Sequence, residues 1–226
     1  MSTTGESPVT RGAFIVLEGL DRSGKSTQVG LLEKKLKAEG REVRVMRFPD
    51  RTTSTGQIIN NYLTTTTPLP DQAIHLLFTA NRWEAAPTIH ALLSAGVTIV
   101  CDRYYYSGMV YSAAKRNPAL SLSWARAPEV GLPRPDVVVF LDLSEAEAAA
   151  RGGWGEERYE RGEMQRRVRE GFEGLKGAGG EEGEDLRVVD AGGSVEVVEG
   201  RVWEAVKGRI EEVEKGLVGG QVRIVS

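Results

Sequence analysis

Residues 19–26, with the spacing Gly-x-x-x-x-Gly-Lys-Ser, constrain the fold more than any other part of the chain. They follow the apolar run 13–17 and precede the helical pattern 27–38, so we predict a strand, a glycine-rich turn and a helix. The two glycines let consecutive backbone N–H groups surround a phosphate. Lys25 is then placed to neutralise the outer phosphates of a nucleoside triphosphate. The Ser26 hydroxyl is placed to bind the Mg²⁺ that accompanies it. A chance match in a chain with 27 glycines is the weaker alternative.

Length and composition predict one domain, 1–226, in a reducing compartment. Cys101 is the lone cysteine, and with only His75 and His90 beside it the chain has neither a disulfide framework nor a Cys/His metal cluster. The net charge of −3 disfavours broad nucleic-acid binding, and no apolar run reaches membrane-spanning length. Residues 1–10 should be flexible and show no targeting signal, so we expect a cytoplasmic location, with the nucleus as an alternative.

Apolar runs alternate with helical patterns along the chain. Strands are predicted at 13–17, 41–48, 97–101, 137–141 and 186–190. Helices are predicted at 27–38, 71–96 with a bend at Pro87, 105–115, 145–150, 164–175 and 194–213. This alternation indicates a parallel sheet covered on both faces, with ligands at the carboxyl ends of the strands.

Other segments carry no such pattern and are predicted to be irregular. They are a polar loop at 49–56, a connector at 64–70, a proline-containing passage at 116–135, a mobile lid at 151–162, a Gly/Glu linker at 176–185 and a loose tail at 216–226.

Three strand ends should converge on one cleft, because parallel strands end at the same edge of a sheet. The phosphate loop follows the first strand, Pro49-Asp50-Arg51 the second, and Asp102-Arg103-Tyr104 the third. Phosphoryl transfer requires aligned oxygens, neutralised charge and excluded water, which suits the arginines and Lys25 gathered there. Asp102 is placed to reach the metal, although it could instead cap the next element, and Arg51 could be an ordinary solvated arginine.

Two other nucleotide-binding classes fit less well. Guanine-specific switches carry an Asn/Thr-Lys-x-Asp segment, and no such string occurs here. Motor-type ATPases have an apolar strand that ends in Asp-Glu, whereas the strand here ends in Asp102-Arg103. A phosphate acceptor needs no strong general base, in agreement with the scarcity of histidine.

Several motifs in order resemble those of the thymidylate kinases, in particular the eukaryotic branch. The resemblance runs from about residue 11 to residue 190, through 14–28, 47–51, 75–84, 102–104 with Ser107-Gly108, and 157–160. It implies a three-layer α/β/α P-loop kinase fold with a five-stranded parallel sheet and a mobile lid. It also implies transfer of the γ-phosphoryl of ATP to dTMP in dTTP biosynthesis, with Mg²⁺ as cofactor, by a homodimer without nucleic-acid or membrane partners.

The resemblance implies a role for each matching residue. The catalytic set is Arg22, Lys25, Asp102 and Arg103, and the metal ligands are Ser26 and Asp102. The ATP-binding set is Arg22, Ser23, Gly24, Lys25, Ser26, Thr27, Arg151, Asp190 and Ala191. The dTMP-binding set is Asp21, Phe48, Arg51, Phe78, Arg82, Arg103, Ser107, Gly108 and Tyr159.

Within these sets, Phe78 would stack on thymine and Arg82 would donate to its carbonyl edge, since residues four apart share a helix face. Core packing is the alternative for Phe78. Asp21 would approach the sugar 3′-hydroxyl, Arg51 and Arg103 would clamp the monophosphate, and Phe48 would form a wall of that site. Tyr159 would reach in from the lid, while Arg151 and Asp190-Ala191 would enclose adenine.

Arg22 marks the eukaryotic branch and is the candidate for stabilising transition-state charge. Arg151, Arg158 and Arg161 of the lid could share that role. Two other functions stay open: a kinase for another nucleoside monophosphate, and a catalytically silent nucleotide-binding protein.

Overall fold

The structure, a computed structural model, describes residues 10–65, 67–151, 158–159 and 162–226. In this part of the chain the strands are β1 (Phe14–Gly19), β2 (Val43–Arg47), β3 (Thr98–Asp102), β4 (Val137–Asp142) and β5 (Leu186–Asp190). They form one sheet in the order β2-β3-β1-β4-β5, and every neighbouring pair is parallel. The five-stranded parallel sheet is therefore confirmed.

Helices precede or follow each strand. They are α1 (Lys25–Ala38), α2 (Ser54–Thr64), α3 (Asp71–Ser94), α4 (Tyr105–Ala114), α5 (Leu122–Arg126), α6 (Glu145–Ala150), α7 (Gly162–Ala178), α8 (Gly180–Asp185) and α9 (Val195–Glu214), with a 3₁₀ turn at Ala127–Glu129. Pro87 lies inside α3 without ending it.

The central strand β1 shows why the sheet is covered on both faces. Its side chains alternate in direction: Phe14 and Val16 pack with α3, α4 and α7, whereas Ile15 and Leu17 pack with α1 and α9. All four are fully buried. A strand apolar at every position needs an apolar layer on each side, which produces the three-layer arrangement.

The strand order also places the site. β1 lies between β3 and β4: the connections after β1 build β2 and β3 on one side of it, and the chain then crosses to build β4 and β5 on the other side. Such a reversal opens a crevice at the carboxyl ends of the central strands. The phosphate loop after β1 and Arg103 after β3 both lie at this edge.

Two predicted irregular segments contain helices. Residues 54–56, expected in a polar loop, begin α2, because the Thr53 hydroxyl caps this helix by accepting a hydrogen bond from the Gly56 N–H at 3.0 Å. The passage 116–135 contains α5 and the 3₁₀ turn, and Ser121 caps α5 through the Trp124 N–H at 3.1 Å.

The prediction of a Gly/Glu linker at 176–185 is wrong. Residues 176–178 continue α7 and residues 180–185 form α8, in which Glu182 and Asp185 are buried. Arg126 binds Glu182 at 2.8 Å, and Arg134 binds Asp185 at 2.6 Å. These long-range ion pairs hold a segment whose composition alone favours disorder.

The tail from residue 216 is packed, contrary to the prediction of a loose end. Val222 and Val225 are buried in the layer formed by α3, α4 and α7. The Val225 N–H donates to the Leu132 carbonyl at 2.9 Å, and the Arg134 N–H donates to the Arg223 carbonyl at 2.8 Å. Backbone pairing with residues 131–134 fixes the tail.

Parts of the predicted lid and of the N-terminal segment lie outside the described residues. These are residues 1–9, 152–157 and 160–161, the last of which is the lid residue Arg161. Position 66, in the predicted connector between α2 and α3, lies outside the described residues as well.

Candidate active site

One cavity of about 940 Å³ opens at the carboxyl edge of the sheet. Its walls come from the phosphate loop, the residues after β2, one face of α3, the start of α4 and Tyr159. The predicted site residues among those lining it are Asp21, Arg22, Gly24, Lys25, Ser26, Thr27, Phe48, Arg51, Phe78, Arg82, Arg103, Ser107, Gly108 and Tyr159. The structure thus brings together the whole predicted dTMP set and most of the phosphate loop.

The phosphate loop turns through glycine-dependent backbone. Gly24, the residue before α1, has φ of +89°, and Arg22 has φ of +68° although it is not glycine. The Lys25 Nζ donates to the carbonyls of Gly19 at 3.0 Å and Leu20 at 2.6 Å. Burial, with Arg103 nearby, lowers the pKa of Lys25 to about 7. An incoming phosphate would therefore favour the charged form of Lys25.

Arg22, in the phosphate loop, lines the cavity. Its Nε is buried and has no hydrogen-bond partner among the described residues. Its carbonyl accepts a hydrogen bond from Arg151 Nη1 at 2.8 Å. The Arg151 contact thereby fixes the backbone of Arg22, whose side chain lines the cavity.

Ser26 and Asp102 meet as the sequence predicted. The Ser26 hydroxyl donates to Asp102 Oδ2 at 2.7 Å, and the exposed Arg47 lies over both, with Nη2 at 3.1 Å from Ser26 Oγ and 3.4 Å from Asp102 Oδ2. Asp102 Oδ1 is buried without a partner in the described chain. A hydroxyl beside a carboxylate with an unused oxygen suits Mg²⁺, which takes few protein ligands when nucleotide phosphates supply others. No group of three or more potential ligands occurs among the described residues.

Arg103 is held at the centre of the cavity by several polar contacts. Its Nη2 binds Asp21 Oδ1 at 2.5 Å, and its Nη1 donates to the hydroxyls of Ser107 at 3.1 Å and Tyr111 at 3.3 Å. Its φ is +66°. Burial raises the pKa of Tyr111 to about 12, so this hydroxyl stays protonated near Arg103.

Glu18 supports this arrangement and was assigned no role from the sequence. The carboxylate is fully buried and accepts the backbone N–H groups of Tyr104 at 2.9 Å and Ser107 at 3.0 Å. Burial raises its pKa, against the opposing effect of Arg103 and these hydrogen bonds. A carboxylate in an otherwise apolar strand is a signal that could have identified it.

Contacts with Asn81 and Gly56 shape the loop that carries Arg51. Asn81 of α3 accepts the Asp50 N–H at 2.7 Å and donates to the Asp50 carbonyl at 3.1 Å. Gly56 passes so close that an added Cβ would lie 1.8 Å from the Asp50 carbonyl oxygen. Arg51 itself is exposed and donates to Asn60 at 2.8 Å.

Arg82 and Phe78 lie one helical turn apart on α3. Phe78 is half-buried and lines the cavity, and it also packs partly against the small cluster formed by Ile59, Tyr62, Leu63 and Ile74. Arg82 is buried and donates its Nε to Glu129 Oε2 at 2.9 Å and its Nη2 to Glu129 Oε1. Glu129 lies in the passage predicted to be irregular, so no local pattern pointed to it.

Gly108 has a steric reason to lack a side chain. A Cβ added there would lie 2.7 Å from Arg82 Nη2 and 3.1 Å from its Cζ. Glu129 holds the guanidinium, which therefore cannot easily move aside.

Asp21 is linked to the segment around Tyr159 through Gln165 of α7. The Asp21 N–H donates to Gln165 Oε1 at 2.9 Å, while Gln165 Nε2 donates to Asp21 Oδ2 at 2.8 Å and to the Tyr159 carbonyl at 2.9 Å. Gln165 is buried, and no motif or periodicity in the sequence points to it. It positions two predicted acceptor-site residues together.

The described lid arginines are engaged by other parts of the chain. Arg158 donates to the carbonyls of Tyr62, Thr65 and Thr67, each at 3.0 Å, at the C-terminal end of α2. Arg151 Nη2 binds the Ala191 carbonyl at 2.9 Å, which joins the phosphate loop to the end of β5.

Five predicted site residues do not line the cavity: Ser23, Asp102, Arg151, Asp190 and Ala191. Ser23 is a buried residue of the phosphate loop. Asp102 is also buried, and Ser26 lies between it and the cavity. The Asp190 carboxylate binds Arg201 at 2.8 Å. Arg151 and Ala191 contact each other beside the phosphate loop, outside the cavity wall.

Comparison with known proteins agrees with the resemblance drawn from the motifs. The family profile described as "Thymidylate kinase" matches residues 17–202. A thymidylate kinase of Schizosaccharomyces pombe is 46% identical over 200 residues, covering 88% of this chain and 94% of the relative. The thymidylate kinase of Homo sapiens is 47% identical over 188 residues, covering 83% and 86%.

A solved structure extends the comparison to three dimensions. The structure of thymidylate kinase from Candida albicans has a TM-score of 0.83 and 37% sequence identity, and the match covers 96% of this chain and 99% of that one. The predicted P-loop kinase fold is confirmed. Matching motifs, a matching family profile and a matching structure together establish that this chain belongs to the thymidylate kinase family.

Proposed function

We propose that this protein transfers the γ-phosphoryl of Mg-ATP to dTMP and thereby forms dTDP and ADP in dTTP biosynthesis. The observation that carries the proposal is one cavity in which a phosphate loop faces an aromatic ring and a buried arginine on α3. The loop suits a triphosphate, whereas Phe78 and Arg82 suit a base with a carbonyl edge.

The acceptor would lie between α3 and the carboxyl end of β3. Phe78 stacks on its base, and Asp21 approaches the sugar 3′-hydroxyl. Nη1 of Arg82, which has no acceptor among the described residues, donates to a ring carbonyl. Arg103 and Arg51 hold the monophosphate, with Phe48, Ser107, Gly108 and Tyr159 forming walls. Planar guanidinium groups match phosphate oxygens in pairs, which orients the attacking oxygen.

The donor would lie on the phosphate loop. The backbone of residues 22–27 and the Lys25 ammonium would hold its phosphates. Arg151, Asp190 and Ala191 would enclose adenine, which the contact of Arg151 Nη2 with the Ala191 carbonyl at 2.9 Å supports. Ser26 and Asp102 would hold Mg²⁺, which neutralises phosphate charge when bound. Arg22 would supply a donor to the charge that develops on the moving phosphoryl, because it lines the cavity and its Nε has no acceptor among the described residues.

Release of ADP in a coupled assay tests the function directly. Purified protein with Mg-ATP should turn over dTMP in preference to dUMP, dCMP and AMP. A strong preference for dCMP or AMP would assign the cavity to another nucleoside monophosphate. Absence of dTDP with every acceptor would support a silent nucleotide-binding protein.

Replacement of Phe78 by alanine should weaken dTMP binding. Stacking of a base on an aromatic ring contributes roughly 1–3 kcal/mol, so the KM for dTMP should rise about 10- to 100-fold while kcat changes little. Leu77→Ala on the same helix is the matched control, since Leu77 packs on the same small cluster but does not line the cavity. If both substitutions raised the KM for dTMP equally, the role of Phe78 would be core packing and not stacking on the base.

Assembly and location complete the proposal. We expect a homodimer, supported by the exposed apolar side chains Leu76 and Trp83, which lie seven residues apart on one face of α3. Light scattering should give twice the mass of one chain.

A cytoplasmic location, with the nucleus as the alternative, is proposed from the single buried cysteine. No helix in the described chain is both long and apolar enough to cross a membrane.

A further inference from the structure

The cationic side chains lining the cavity are neutralised to different degrees. Those among the described residues are Arg22, Lys25, Arg44, Arg47, Arg51, Arg82, Arg103 and Lys115. Four contact a described carboxylate: Arg82 contacts Glu129, Arg103 contacts Asp21, Arg47 contacts Asp102, and Lys115 contacts Asp71. Of these four pairs, Arg82–Glu129 is the one with both side chains almost fully buried.

The exposed fractions of the side chains separate this pair from the one at the centre of the cavity. They are 3% for Arg82 and 0% for Glu129, against 19% for Arg103 and 24% for Asp21. A phosphate can compete with Asp21 for Arg103, because both partners are open to solvent and ligand. Glu129 cannot be displaced in this way, since it is buried behind Arg82.

The hydrogen bonds of Glu129 fix the direction of the guanidinium. Its two oxygens accept Nε and Nη2 of Arg82, and Oε1 also accepts the Thr79 hydroxyl at 2.6 Å. Arg82 Nη1 has no acceptor in the described chain. The pair therefore offers the two N–H groups of one nitrogen, Nη1, to the cavity while its net charge is zero.

We propose that Glu129 is a positioning residue that makes the base end of the cavity reject anions. An uncharged ring carbonyl can accept the free Nη1 donor without removing Glu129. A phosphate or an acidic ring would bring a second negative charge against a buried carboxylate. Glu129 thereby sets the direction in which a nucleoside monophosphate enters, with its phosphate toward Arg103 and Arg51. The inference rests on the proposed function.

His75 agrees with this assignment. It lies beside the pair, with Nε2 4.0 Å from Glu129 Oε1, and its Nδ1 is 2.8 Å from the Ser112 hydroxyl. Burial, together with the charge of Arg82, lowers the pKa of His75. The neutral ring adds no second cation at the base end.

Inhibition by inorganic phosphate, measured in competition with dTMP at saturating ATP, tests the charge directly. Glu129→Gln leaves Arg82 as an unpaired cation, so the inhibition constant of phosphate should fall about fivefold or more. The KM for dTMP should rise about tenfold, because Arg82 loses its fixed direction. A purely structural role for Glu129 would raise KM without strengthening phosphate inhibition.

Two further variants change the net charge of the Arg82–Glu129 pair. They test the proposal even if Glu129→Gln folds poorly. Arg82→Gln leaves an unpaired carboxylate, and Arg82→Gln with Glu129→Gln leaves no charge. Phosphate should inhibit the double variant about as strongly as the wild type and inhibit Arg82→Gln more weakly than either. Glu182→Gln is the matched control, since it breaks a mostly buried arginine pair outside the cavity wall and should leave phosphate inhibition unchanged.

The outcomes separate this inference from the proposed function. Wild-type protein that does not phosphorylate dTMP would overturn the proposed function. Wild-type turnover of dTMP, with phosphate inhibition equal in Arg82→Gln and in the double variant, would overturn the role of Glu129. Unchanged or weaker phosphate inhibition in folded Glu129→Gln would overturn it as well.

Discussion

Arg22→Ala should reduce kcat about 10³-fold, the scale of an arginine that stabilises charge in phosphoryl transfer. The KM values for dTMP and ATP should change little, because the contact is made chiefly in the transition state. The structural basis is a side chain that lines the cavity and whose buried Nε has no partner among the described residues. Steady-state kinetics with both substrates varied would measure the effect.

Two other arginine variants test whether Arg22 acts alone. Arg158→Ala should lose far less turnover, since the described contacts of this guanidinium are with carbonyls at the end of α2. Arg22→Lys keeps the charge but not the planar fork, so it should recover only part of the lost rate. Normal turnover in Arg22→Ala, or an equal loss in Arg158→Ala, would contradict the assignment.

Asp102→Asn should lower kcat/KM for ATP about 100-fold or more at a fixed metal concentration. A bound metal contributes several kcal/mol of charge stabilisation, and the substitution removes the carboxylate charge that would hold it. The Mg²⁺ concentration needed for half-maximal rate should rise in parallel. A titration with Mg²⁺ at constant total nucleotide would report both quantities.

Arg47→Gln separates the metal role of Asp102 from loss of an ion pair. This variant removes the exposed Arg47 guanidinium, 3.4 Å from the buried Asp102 carboxylate, and keeps the carboxylate; because Arg47 is open to water, its charge is largely screened. The rate should therefore fall less than about tenfold, and the Mg²⁺ requirement should not rise. A normal Mg²⁺ requirement in Asp102→Asn would remove this residue from the metal site.

The strand-end part of the site could be predicted from the sequence, because the rule for parallel sheets requires only the order of strands. Two predicted strands are each followed directly by polar residues, and these residues are Lys25, Ser26, Asp102 and Arg103. Their sharing of one edge needed no knowledge of side-chain packing.

The base end could not be predicted in the same way. Glu129 is 47 residues from Arg82 and lies in a passage without periodicity, so only tertiary packing brings the two together. Helix α8 and the tail were missed for a related reason. Local composition favoured disorder there, whereas Arg134 and Arg223 on distant segments bind the buried Asp185.

Arg22 and Arg103 both adopt positive φ, at +68° and +66°, and both line the cavity. Such backbone costs a non-glycine residue about 1–3 kcal/mol. A directed-evolution library screened only for heat resistance should therefore accumulate glycine at position 22, and those survivors should be poor catalysts. Position 103 should keep its arginine, because glycine there would remove the contacts with Asp21, Ser107 and Tyr111. Screens for higher stability need to score phosphorylation in the same round, because stability and activity oppose each other at position 22.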